Sequence, residues 1–230
     1  HTTLWTGMNA SAMLGRHFPA YPAPSQRDLI AEHSLFRRVR DAGYTSVIAT
    51  VHRAPYWELV AQRQQRATAA ALAARAADVE LATIDDWLAG RAVTWDITGE
   101  YLQRWGALVG HEPITAFAAG QRLADLARNY DVVHYECYLP DFVGHRRIEA
   151  TPEHVLELID QMLNGIIAHL HTNDSLIMVS DHGNLEEPDH KRHTVNPVPF
   201  LVYGNLAQYG LDVQAIDGVT PWILRYLGDE

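Results

Sequence analysis

The sequence predicts an α/β protein, a three-layer α/β/α arrangement around a mostly parallel sheet with a small helical cap inserted into it. Three observations carry that expectation. Apolar, β-branched runs alternate with helical segments through residues 113–230, the pattern of parallel strands joined by helical crossovers. The unit of polar cap, helix, terminal glycine and apolar run also occurs once near the N-terminus. Between these stretches, residues 52–112 include an Ala- and Arg-rich tract with almost no β-branched residues, a composition that favours helix.

The core is assigned to residues 1–51 and 113–230. It opens with a short segment ending at Gly7, followed by a proline-rich connection from Pro19 to Pro24. A helix is expected over 25–32. A second is capped by Ser34 and stopped at Gly43, ahead of the strand Ser46-Val47-Ile48-Ala49-Thr50-Val51. In the cap, 52–112, the tract 66–77 is helical, and Thr83 N-caps a short helix that stops at Gly90. On composition alone these could equally be further core helices. The second part of the core begins with a helix over 115–128 and the strand Asp131-Val132-Val133-His134-Tyr135-Glu136. A long helix then starts at Thr151-Pro152, cap and first-turn proline, and runs to about His171. Strands follow at 175–180 and 198–203, and a last helix opens at Thr220-Pro221 and stops at Gly228.

Composition excludes several function classes. The 230 residues carry 28 acidic and 18 basic side chains, a net charge of −10, which is the wrong sign for a phosphate-neutralising nucleic-acid face. With 47% hydrophobic and 20% charged residues the chain is globular, not disordered. No run of apolar residues is long enough to span a bilayer, so no membrane partner is expected. The single cysteine, Cys137, cannot form an internal disulfide, and the first residues lack a basic n-region and an apolar h-region. The expected setting is a reducing, cytoplasmic compartment.

Thirteen histidines are many for this length. His17, His33, His52, His111, His154, His169, His171 and His190 read as surface or satisfied core residues. The others that matter lie where functional groups gather in a parallel sheet, just beyond the carboxyl ends of strands. Asp141-Phe142-Val143-Gly144-His145 follows the strand 131–136, Asp181-His182-Gly183-Asn184 follows 175–180, and His193-Thr194 precedes the strand near Val198. Asp141 and His145 are one helical turn apart and can point the same way. Adjacent Asp181 and His182 can face one ion only in an irregular turn, which Gly183 permits. Mixed carboxylate and imidazole donors suit zinc or manganese.

The run Ser180-Asp181-His182-Gly183-Asn184, His193-Thr194 and Asn196-Pro197-Val198-Pro199, with Asp141-x-x-Gly144-His145 upstream, resembles the metal-binding end of the cofactor-independent phosphoglycerate mutases of the alkaline phosphatase superfamily. Asp217-Gly218-Val219-Thr220-Pro221 resembles the start of the family's closing helix. The resemblance covers 113–230 and, in part, 1–15. It implies two divalent ions, Mn or Zn: one held by Asp141, His145 and His193, the other by Asp181 and His182. It implies phosphoryl transfer on a small phosphorylated substrate. In the family the second ion also takes a first-strand Asp and a Ser or Thr nucleophile in a Ser-x-x-Gly-His pattern. His1 aligns with the end of that pattern, so the expected nucleophile lies upstream of His1, and Thr2 and Thr3 do not match it on spacing. The stretch 52–112 is much smaller than the mutases' substrate-handling domain. That favours a phosphomonoesterase-like hydrolase, with a phosphomutase or a catalytically silent metal-binding module as alternatives. Arg53 and Arg91 are the candidate substrate-binding residues; Arg63, Arg66 and Arg75 are further cations of the same stretch.

Overall fold

The computed structural model describes residues 1–15 and 21–228. His17 and Pro19, the first residue of the expected proline-rich connection, lie outside them. Helix α1 (Thr2–Thr6) ends at Gly7, whose φ of 69° is left-handed. A Cβ there would run into the Pro221 ring, so the glycine lets α1 sit directly on the start of α12 (Val219–Leu227). Thr220 Oγ1 seals that contact by donating to Leu4 O at 2.6 Å. The hydroxyl is thus used across the interface, and α12 opens at Val219 with Gly218 as its N-cap. Gly228, with φ 93°, stops it as expected.

After the short α2 (Ala10–Met13), α3 (Pro24–His33) starts on its proline, and α4 (Leu35–Asp41) follows Ser34 directly. Ser34 stands at the N-cap position but makes no capping bond. Strand β1 (Ser46–Ile48) pairs in parallel with β2 (Val132–His134). The Asp131 carboxylate locks the entry to both, accepting from Thr45 N at 2.8 Å and Thr45 Oγ1 at 2.7 Å.

Residues 52–112 contain α5 (Tyr56–Ala61), α6 (Ala69–Ala76), α7 (Ile84–Leu88) and α8 (Glu100–Arg104). As expected, Thr83 opens α7: its N–H donates to Asp86 Oδ2 at 2.9 Å. The stretch touches the core directly. Leu81 forms a parallel bridge to Ile48 and Val93 one to Thr50, beside β1. The alanines of α6 present a smooth, fully buried face that packs with Trp5, Ile30, Phe36, Val39 and Ile48 in one cluster. Small side chains allow that close seating, which the composition alone left open.

Successive residues of the β1 and β2 segments face opposite ways. Ile48 and Val132 belong to the cluster with α6 and Leu224, whereas Ala49 and Val133 belong to a second cluster. That second cluster is built on α9 (Ala116–Leu126) and α11 (Pro152–His169). Thr115 and Thr151 cap these helices by accepting from Ala118 N and His154 N. The two helices touch backbone to backbone. A Cβ on Gly120 would fall on Met162 O, and one on Gly165 would fall on Phe117 O.

The expected single, mostly parallel sheet needs correction. The described residues form two two-stranded sheets, and β3 (Ser175–Val179) pairs with β4 (Phe200–Gly204) antiparallel, Ser175 opposite Gly204 and Val179 opposite Phe200. The reason lies in the connection: a loop, not a crossover helix, joins β3 to β4, so the chain returns alongside. Strand β2 is also shorter than the apolar run 131–136. Glu136 N donates to Thr50 Oγ1 at 2.7 Å and Tyr135 Oη to Thr94 O, so side-chain groups replace the ladder there.

Candidate metal centre

An irregular segment, 135–138, leads from β2 into α10 (Leu139–Gly144), which carries Asp141 in its first turn and is capped by His145. One helical turn brings Asp141 Oδ1 to 3.2 Å from His145 Nε2, as the spacing predicts. His145 Nδ1 lies 2.7 Å from Lys191 O. A carbonyl only accepts, so Nδ1 carries the proton and Nε2 keeps its lone pair for the cluster. His193 Nε2 lies 3.1 Å from His145 Nε2 and 3.6 Å from Asp141 Oδ1. His182 stacks on His193 with centroids 3.5 Å apart, and its Nε2 is 3.8 Å from Asp141 Oδ1. Donor atoms of Asp141, His182 and His193 all fall within 4.8 Å of one another, a grouping able to hold a metal ion. Asp181 joins through Oδ2, 3.4 Å from His182 Nε2. The five residues singled out by sequence therefore form one continuous constellation.

Two glycines make it possible. A Cβ on Gly144 would land on the Asn184 side-chain amide, so the two motifs interlock at that point. Asn184 Nδ2 in turn donates to Arg192 O at 3.0 Å, next to His193. Gly183 bridges to Thr194, and a Cβ there would collide with the Thr194 hydroxyl and the Glu186 carboxylate. Ser180 Oγ donates to His182 O at 2.8 Å, fixing the bend that turns Asp181 and His182 toward the same space.

Glu186 ties this loop together. It accepts from Asn184 N at 2.7 Å, from Asn196 Nδ2 at 3.0 Å and from the Thr194 hydroxyl. The Thr194 hydrogen bond, ahead of the others, holds its carboxyl down at about 2. A carboxyl depressed in the folded state stabilises above its unfolded value, near 4.5, and that contribution disappears as pH falls toward 2. Acidification through this window is expected to loosen residues 183–196, read as faster amide exchange of Asn184 and Thr194. Glu186→Gln should show the faster exchange already at neutral pH.

Two residues outside the expected ligand set, His1 and Glu136, stand behind Asp181. His1 Nε2 approaches Asp181 Oδ2 at 2.9 Å, and His1 Nδ1 lies 3.8 Å from Glu136 Oε1. Burial opposes a charge on His1, but the Asp181 and Glu136 carboxylates outweigh it and raise its pKa to about 10. Burial likewise works against a charged Glu136, yet His1, His134 and the Tyr138 hydroxyl hold it down at about 2. Glu136 ends the β2 run, so the strand-end rule that found Asp181 would also have found it. His193 is pushed down by burial first and then by neighbouring His182, which keeps its imidazole neutral.

The candidate arginines are placed differently. Arg53 lines two adjoining cavities of about 590 and 190 Å³, the smaller of which also borders Arg66 and Tyr138. Tyr138 Oη donates to Glu136 Oε2 at 2.7 Å, so that cavity adjoins the groups behind Asp181. Arg91 is not brought to the cluster; it pairs with Asp86 at 2.9 Å on the exposed side of α7 and lines neither cavity.

The Asp/His cluster lies wholly in the second half of the chain, most of which matches a known family. Residues 113–219 match the Metalloenzyme superfamily. Curated relatives of the chain carry the name 2,3-bisphosphoglycerate-independent phosphoglycerate mutase. One from Coxiella burnetii (strain Dugway 5J108-111) is 31% identical over 127 residues, covering 51% of this chain and 24% of the relative. One from Acetivibrio thermocellus is 32% identical over 111 residues, covering 45% and 22%. One from Ehrlichia ruminantium (strain Gardel) is 38% identical over 96 residues, covering 38% and 19%. The chain thus spans about a quarter of the length of the curated relatives it matches. The superfamily match takes in the motifs at 141–145, 180–184 and 193–199, while the parts of the resemblance over 1–15 and 220–230 lie outside it.

Proposed function

We propose that this chain carries the divalent-metal centre of a phosphoryl-transfer enzyme that acts as a phosphomonoesterase-like hydrolase on a small phosphorylated substrate. One observation carries the reading: Asp141, His145, His182 and His193 converge at the ends of β2 and β3, with Asp181 adjoining, inside the segment that matches the Metalloenzyme superfamily. In this reading Asp141, His145 and His193 hold one ion, and Asp181 and His182 hold a second. The donor chemistry fits: neutral imidazoles and carboxylates suit manganese or zinc, and the Lys191 carbonyl already sets the His145 tautomer that ligation requires. Bound ions would supply charge stabilisation for the nonbridging and leaving oxygens of an in-line displacement.

The chain's own side chains take the remaining tasks. Arg147, 3.9 Å from Asp141 Oδ2 and exposed, is placed to meet an incoming phosphate. Arg53 in the adjoining cavities is the candidate for the organic part of the substrate. The net charge of −10 goes against a nucleic-acid partner, no described helix is long and apolar enough to cross a membrane, and the setting we assign is the cytoplasm.

A second reading, a phosphomutase, is favoured by the names of the curated relatives. The test is to load the 230-residue chain with Mn²⁺ or Zn²⁺ and supply an aryl phosphate. Release of inorganic phosphate, abolished by EDTA and restored by metal, supports the hydrolase. Transfer between the positions of a phosphoglycerate without phosphate release supports the mutase. Bound ions with neither reaction show that these 230 residues bind metal without turning over and count against both readings as activities of this chain alone.

A further inference from the structure

The Asp181 carboxylate is the starting point. Its Oδ2 is shut off from solvent and makes no well-aligned hydrogen bond, although the His1 Nε2 atom is only 2.9 Å away. An imidazolium paired with a carboxylate aims its N–H at the oxygen. Here the two atoms approach without that alignment, as two donors do when both face a common third atom. The distances agree. With metal–ligand bonds near 2.1 Å, neighbouring donors of one ion stand about 3.0–3.4 Å apart. Asp181 Oδ2 lies 2.9 Å from His1 Nε2 and 3.4 Å from His182 Nε2.

We infer that the His1 imidazole is a ligand of the second ion, bound through Nε2 beside Asp181 and His182, with Glu136 as the outer carboxylate on its Nδ1. The inference rests on the two-ion reading above and names a donor that reading does not contain. Three features on this side of the centre support it. Glu136 is only 12% exposed and is fixed in place: Tyr138 Oη donates to its Oε2 at 2.7 Å, and its own N–H donates to Thr50 Oγ1. Its Oε1 lies 3.8 Å from Nδ1, on the side of the ring where a carboxylate commonly stands behind a ligating histidine, and the proton that the two carboxylates hold on His1 without an ion would leave when a cation binds Nε2. His1 itself is anchored, because its carbonyl accepts from Trp5 N at 2.9 Å and α1 is clasped to α12 through Thr220. The imidazole therefore reaches Asp181 from a fixed backbone.

The experiment counts ions and does not depend on turnover. The chain is stripped with chelator, titrated with Mn²⁺ or Zn²⁺ by calorimetry, and assayed for metal content after desalting. Two equivalents are expected for the unmodified chain. His1→Ala should keep one and bind the second at least about 100-fold more weakly, beyond the 10- to 100-fold range for removing an outer-shell partner. Glu136→Gln, which leaves His1 in place, should weaken the second ion alone by about 10- to 100-fold. Asp141→Asn should show the converse, losing the first ion and keeping the His1 ion. Circular dichroism of each variant checks that the fold persists. If His1→Ala binds two equivalents with unchanged affinity, His1 is not a ligand and the inference is overturned, while the two-ion reading stands. If the unmodified chain binds no ion, both fall together.

Discussion

Replacing Asp141 with asparagine is expected to lower affinity for the first ion by at least about 100-fold while the chain stays folded. Asp141 Oδ1 is the hub of the cluster, within 3.2 Å of His145, 3.6 Å of His193 and 3.8 Å of His182. Three imidazoles have no other shared carboxylate oxygen among the described contacts. An amide of the same size keeps the packing of α10 but removes the negative charge that a divalent cation requires. The loss should appear as a missing equivalent in metal analysis and as no shift of the melting temperature on adding Mn²⁺ at concentrations that fill only the first site. Stability without metal should change little, because Asp141 is 31% exposed and holds up no buried group. A variant that bound the first ion as tightly as the original would remove Asp141 from the ligand set.

The second large effect concerns stability. Gly165→Ala is expected to destabilise the fold by about 2–3 kcal/mol, the upper part of the range for overpacking, and to lower Tm by roughly 5–10 °C. At an exposed helical position the same change would stabilise by about 1 kcal/mol, since alanine is the better helix former. The sign reverses because a Cβ on Gly165 would meet the backbone carbonyl of Phe117, which cannot swing aside as a side chain can. Accommodating it requires α9 and α11 to part, loosening Ala119, Leu123, Val155, Met162 and Ile166 together. Thermal unfolding followed by circular dichroism reads this directly. A Tm that stays level or rises would mean that the two helices are not in backbone contact.

The candidate site was more legible in the sequence than the sheet around it. Asp141, His145, Asp181, His182 and His193 stand at strand ends and within tight motifs, where short-range spacing fixes what can converge. Thr83 and Thr151 were readable as caps for the same local reason. What escaped was set by distant parts of the chain. The direction of β4 depends on how a loop crosses space, and an apolar run reads alike in a parallel or an antiparallel strand. The burial of α6 against α3 and α4 depends on alanine's small size meeting a matching surface, which composition does not reveal. Arg91 looked free for substrate, but it lies just past α7, five residues after Asp86, and is paired with that carboxylate. His1 and Glu136 meet only because α1 is held on α12.

The contact between Gly144 and Asn184 has a consequence for how such a chain can change over generations. The two positions belong to motifs some forty residues apart, yet the space for any side chain at 144 is already filled by the amide at 184. A mutation at one of them is therefore conditional on the state of the other: a methyl group at 144 becomes tolerable only once 184 has been shortened, and shortening 184 first releases the Arg192 carbonyl and the segment bearing His193. The pair behaves as a single heritable unit, a two-part latch whose halves have to be inherited together.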